Sequence, residues 1–99
     1  MVKHIVLWNF VETLSEAEKK EAALKMKSLL EPIKELVPGA VTIQVLYNEI
    51  PSSNREVALI STFEDISALE TYQTHPAHVE AGKYVRSVTS DRACMDYYC

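Results

Sequence analysis

The sequence predicts one α+β domain of ferredoxin-like type, a β-α-β-β-α-β sandwich, and three observations carry that reading. β-formers alternate over the first ten residues, and a capped run at helical spacing follows them. Two more β-rich runs then precede a second helical region and a last strand. No linker, low-complexity tract or internal repeat divides residues 1–99, which read as a single domain.

The first strand spans Val2 to Phe10. Successive side chains of a strand point to opposite faces, so Val2, His4, Val6, Trp8 and Phe10 share one side and Lys3, Ile5, Leu7 and Asn9 the other. Both sides are largely apolar, which suits a sheet covered on two faces. Ser15 with Glu18 has capping-box spacing, and Ala22, Met26, Leu29, Leu30, Ile33, Leu36 and Val37 continue at helical spacing. One helix from Ser15 to Val37 is expected, kinked or divided at Pro32 and ended by Pro38-Gly39.

Ala40 to Tyr47 and Glu56 to Phe63 read as a hairpin across the turn-forming segment Asn48 to Arg55. Ser67 and Glu70 repeat the capping-box spacing and open a short helix through Leu69 and Tyr72. Pro76 fits the first turn of a further helix whose apolar face is Ala77, Ala81, Tyr84, Val85 and Val88. Arg92 to Tyr98 is the final strand.

In this order the helices cover one face of an antiparallel sheet and leave the other bare. A short chain has a high surface-to-volume ratio and gains from covering that second face. The natural cover is the sheet of a second copy, so a homodimer through opposed sheet faces is expected.

Charge and patterning exclude several classes of partner. The net charge is −4, with lysines and arginines scattered, so no stripe for tracking phosphates exists and nucleic acid is not expected. The apolar run Ile5 to Trp8 is far too short to span a membrane, and Lys3-His4 before it does not make a secretory signal, so a cytoplasmic protein with no membrane partner is expected. Cys94 and Cys99 have odd spacing, which sets them on opposite faces of a strand and argues against a disulfide between them. Cys94 reads as a partly buried thiol and Cys99 as a frayed end, neither with a function.

Several ordered motifs point further. They are the opening Met1-Val2-Lys3-His4-Ile5-Val6-Leu7-Trp8, the strand exit Ser61-Thr62-Phe63-Glu64, and the run Tyr72-Gln73-Thr74-His75-Pro76-Ala77-His78-Val79. The pairs Arg86-Ser87 and Asp96-Tyr97 add to them. On these residues the chain resembles the stress-responsive dimeric α/β-barrel family over essentially its whole length. The resemblance implies a homodimer in which two four-stranded sheets face each other as a barrel with the helices outside, the cover inferred above.

The chain is also similar to that family's plant polyketide-cyclase branch, which closes a linear polyketide by aldol chemistry without metal or cofactor. The similarity reaches His4, Tyr72 and His78 and implies catalytic roles for them. His78 would abstract a proton beside a carbonyl, Tyr72 would polarise the acceptor carbonyl, and His4 would orient. Imidazole titrates near neutrality and a phenol can donate to a developing enolate, so these residue types suit the task. Val6, Trp8, Met26, Leu59 and Ala81 are the expected substrate-binding wall. Trp8 replaces a smaller aliphatic residue, and Ala22, Ala23 and Met26 stand where the cyclase branch is aromatic-rich. An indole fills much of a pocket, so a small aromatic or oxo-acid ligand is expected rather than a long-chain polyketide.

Each histidine also has a structural reading. His4 could be satisfied at a sheet edge or against the first helix, His78 could bond back to the bend at Pro76, and His75 reads as a cap or a solvated residue. No metal is expected, because His75 and His78 straddle a proline with only Glu80 or Glu64 as candidate partners. No cofactor is expected either: a glycine-rich phosphate loop is absent, and Trp8 and Asn9 point to opposite faces, unlike the converging set of haem-degrading barrels. Three functions stay open: a cofactor-independent cyclase or lyase, a non-catalytic stress-responsive binding or protective protein, and, ranked last, a dimeric-barrel oxygenase.

Overall fold

The computed structural model describes residues 1–99 and runs β1 (Val2–Phe10), α1 (Glu16–Leu30), a 3-10 helix (Glu31–Glu35), β2 (Ala40–Tyr47), β3 (Val57–Phe63), α2 (Ile66–Thr74), α3 (Pro76–Val88) and β4 (Thr89–Tyr98). The four strands form one antiparallel sheet in the order β2-β3-β1-β4. The register sets His4 between Ser61 of β3 and Asp96 of β4. Strand β1 is therefore central, and His4 does not sit at a sheet edge.

Local chemistry explains most element ends. Ser15 caps α1 through a complete capping box with Glu18, as the spacing predicts. The helical run expected to reach Val37, kinked or divided at Pro32, is divided: α1 stops at Leu30, and Pro32 lies in the first turn of the 3-10 helix that follows. A proline inside the α-helix would remove a hydrogen bond and clash with the carbonyl one turn back, so the chain divides there. Helix α2 is capped by Asp65, not Ser67, because the Asp65 carboxylate accepts from the Ala68 N–H at 2.8 Å. His75 has extended dihedrals before Pro76, ends α2 and caps α3, its Nδ1 accepting from the Ala77 N–H at 3.0 Å. Strand β4 begins at Thr89, three residues before Arg92, and a register shift opposite Leu7 to Asn9 leaves Asp91 at a φ of 53°.

The core lies between the sheet and the helices, with Met26, Ile33, Phe63 and Tyr72 among its fully enclosed side chains. The turn before β2 meets the start of α2 closely. Gly39 has a φ of 89°, a Cβ there would lie 2.7 Å from the Ala68 Cβ, and the Glu64 N–H donates to the Gly39 carbonyl at 2.8 Å.

The other sheet face has no helix over it. Ile5, Leu7, Ala58 and Ile60 are only half-buried there, and Leu46, Met95 and Tyr97, which share that face by register, are exposed. No helix is long and apolar enough to cross a membrane.

Candidate functional site

A cavity of about 290 Å³ opens on the helix side of the sheet, walled by β1, β3, the end of α1, and the α2–α3 corner. His4 enters it from the middle of β1, only 2% exposed. Its Nδ1 pairs with the Asp96 carboxylate across the β1–β4 ladder, and the Ser61 hydroxyl donates to its main-chain carbonyl at 2.8 Å. A carboxylate on one ring nitrogen fixes the tautomer and orientation of the imidazole.

Tyr72 comes from the last turns of α2. Its ring centroid lies 4.5 Å from that of His78, 5.1 Å from Phe63 and 6.4 Å from His4. The side chain is fully enclosed, and its hydroxyl has no hydrogen-bond partner. Burial pushes the phenol well above its ordinary value, so the O–H stays protonated and available as a donor.

His78 stands in the first turn of α3, half-buried against Tyr72. Burial holds its imidazole below the ordinary value, and nearby His4, Arg86 and Arg92 act in the same direction, while the Gln73 main chain opposes them. At neutral pH it is an unprotonated base. Gly82, Val85 and Arg86 follow it on the same face of α3 at helical spacing, and Arg92 joins them from β4.

The residues expected from the sequence divide. His4, Tyr72 and His78 line this one cavity, with Val6, Trp8 and Leu59 beside them. Met26 and Ala81 do not. Met26 packs wholly into the core one turn before Leu30, which lines the cavity in its place, and Ala81 turns inward one position before Gly82.

Sequence reasoning about the site missed Asp96, Arg86 and Arg92. The i+8 spacing of Arg86 from His78 on one helix was a usable signal. The Asp96–His4 contact depends on strand register over more than ninety residues, and Arg92 depends on a bulge.

His4 Nδ1, Cys94 Sγ and Asp96 Oδ1 lie within 4.8 Å of one another and form a trio of possible metal donors. Cys94 is exposed on the edge strand β4 instead of partly buried, and what burial it has, with Asp96 nearby, raises its thiol above the ordinary value. The carboxylate of the trio is already engaged by His4. A larger hollow, about 430 Å³, lies around Leu7, Leu46 and Arg55 and contains none of the histidines.

A family model for the stress responsive A/B barrel domain matches residues 2–99. The chain belongs to that family. Olivetolic acid cyclase from Cannabis sativa is 28% identical, across 97% of this chain and 94% of the enzyme. A dimeric protein of unknown function from Bacteroides fragilis, with a ferredoxin-like fold, superposes with a TM-score of 0.90 at 33% identity, covering 99% of this chain and 95% of that one. Hydroxynitrile lyase from Passiflora edulis shares the fold, with a TM-score of 0.74 at 16% identity over 97% and 90% of the two chains. Fold class and family membership in the stress responsive A/B barrel domain thus stand as the sequence predicts.

Proposed function

We propose that this stress responsive A/B barrel protein acts as a cytoplasmic homodimer that binds a small aromatic or oxo-acid ligand on the helix side of the sheet. There it moves a proton beside a carbonyl without a cofactor. The observation that carries the proposal is the buried, unpartnered Tyr72 hydroxyl in the same cavity as the unprotonated His78 and the carboxylate-held His4.

His78 takes the proton from the carbon next to the carbonyl, and the electron pair moves onto the carbonyl oxygen. Tyr72 donates its O–H to that oxygen as charge develops. His78 then returns the proton to the product. His4, oriented by Asp96, holds the carbonyl in place. The activities named for the olivetolic acid cyclase and hydroxynitrile lyase relatives support this class of chemistry. The homodimer is supported by the uncovered apolar sheet face and by the dimeric Bacteroides relative.

A non-catalytic binding role is the second reading. It is favoured by the small cavity, about 290 Å³, into which the bulk of Trp8 intrudes.

Hydrogen–deuterium exchange separates the two. In heavy water the protein should speed exchange of the methylene protons of phenylpyruvate above the buffer rate, and His78→Ala should lower the protein's contribution by about two to four orders of magnitude with the fold intact. Wild-type protein that leaves the buffer rate unchanged, while His78→Ala lowers only the melting temperature, would defeat catalysis in favour of the binding role.

A further inference from the structure

The charge around the cavity runs against the charge of the chain. The sequence carries 14 acidic and 10 basic residues, yet the cavity lining includes Arg86 and Arg92 and no carboxylate. The Asp96 carboxylate, beside the cavity on β4, is occupied by His4. Neither guanidinium forms an ion pair, although Lys19, Lys27, Lys34 and Lys83 all do.

Two backbone features bring these arginines to the mouth. Arg86 folds back along α3 over Gly82, where an added Cβ would lie 3.1 Å from Nη1, so the missing side chain makes room for the guanidinium. On β4 the ladder pairs Leu7 with Ala93 but Asn9 with Ser90, so Asp91 and Arg92 together oppose Trp8. A bulge of this kind re-aims a side chain, and here it turns Arg92 to the cavity side, beside Trp8. Deeper in, the enclosed Tyr72 hydroxyl is a donor with nothing to donate to. An unmet buried donor is costly unless something entering the space accepts from it.

We propose that Arg86 and Arg92 form an anion clamp, so that the ligand is a carboxylate whose acid group is held at the cavity mouth and whose oxo oxygen accepts from Tyr72 farther in. A paired guanidinium site matches the planar, two-oxygen geometry of a carboxylate. The clamp rests on the proposed function for where the ligand sits and needs no catalysis. It selects the oxo-acid over the uncharged aromatic ligand.

The test compares phenylpyruvate with phenylacetone, which keeps the ring and the ketone but lacks the acid. Calorimetry gives affinity, and the indole N–H resonance of Trp8, the only tryptophan, reports occupancy of the cavity. Phenylpyruvate should bind at least tenfold more tightly than phenylacetone and weaken as salt is raised. Arg86→Gln and Arg92→Gln should each lose about tenfold for the acid and leave phenylacetone unchanged. Gly82→Ala should also weaken the acid while the melting temperature holds or rises, since alanine favours a helix and only the guanidinium is displaced.

Equal affinity for acid and ketone, untouched by the arginine substitutions, would overturn the clamp while leaving the cavity as a ligand site. Failure of both compounds to shift the Trp8 resonance would overturn the clamp and the ligand site together.

Discussion

On β1, His4, Val6 and Trp8 face the helices and are almost wholly enclosed, whereas Ile5 and Leu7, their immediate neighbours, lie half-covered on a face no helix reaches. Both sides of this strand carry large apolar residues, but their surroundings differ. On the enclosed side, loss of water shifts the Tyr72 and His78 equilibria in directions that suit a donor and a base. The open side sets its polar residues, Lys3 hydrogen-bonded to Thr62 and the exposed Gln44, around Ile5, Leu7, Ile60 and Met95, whose apolar area is left to a partner. Alternation in a strand can thus assign chemistry to one face and assembly to the other.

The largest test of that contrast uses adjacent residues. Val6→Asp should abolish folding, because an unpaired carboxylate forced into the core costs several kcal/mol, a large part of the stability of a small domain. Ile5→Asp should keep the native circular dichroism spectrum and convert the homodimer to a monomer by light scattering at micromolar concentration. An Ile5→Asp chain that unfolds would mean the faces do not differ in kind, and one that stays dimeric would place the interface elsewhere.

A smaller effect is expected inside the cavity. Tyr72→Phe removes a buried hydroxyl with no partner, so stability in urea should hold or rise by about 1 kcal/mol. Binding of phenylpyruvate should weaken in the same variant. A clear loss of stability would mean that the hydroxyl is satisfied in the folded protein.

The smallest effect is a pH dependence. His78 has a folded value below its ordinary 6.5, so the unfolded chain binds the proton more readily. Its contribution to stability is therefore complete above 6.5 and is lost as pH falls from there through the lowered folded value. Unfolding titrations should show this slope in the wild type and a shallower one in His78→Gln. Equal slopes would remove the claim that enclosure disfavours the imidazolium.

What was legible in the sequence follows the range of the interactions. The alternation of β1 and the capping box at Ser15 depend on residues a few positions apart, and both appear in the structure as expected. Ser67 and Glu70 carry the capping-box spacing, but the cap of α2 is Asp65, two residues earlier, whose short carboxylate reaches the Ala68 N–H directly. Asp96 stayed invisible as a partner of His4 because only strand register joins them. Met26 and Ala81 belong to the apolar faces of their helices, and apolarity alone does not separate a core wall from a cavity wall.

Gly39 extends the consequences of close packing to the depth at which the phenol sits. Any side chain there would meet the Ala68 Cβ at 2.7 Å, and the helix carrying Ala68 also carries Tyr72. Relief of that clash requires the turn or α2 to shift, and a shift of α2 on the order of 1 Å is a misplacement large enough to cost roughly a hundredfold in a positioned reaction. The turn before β2 therefore works as a gauge, setting from some thirty positions upstream how deep the helix that carries Tyr72 sits.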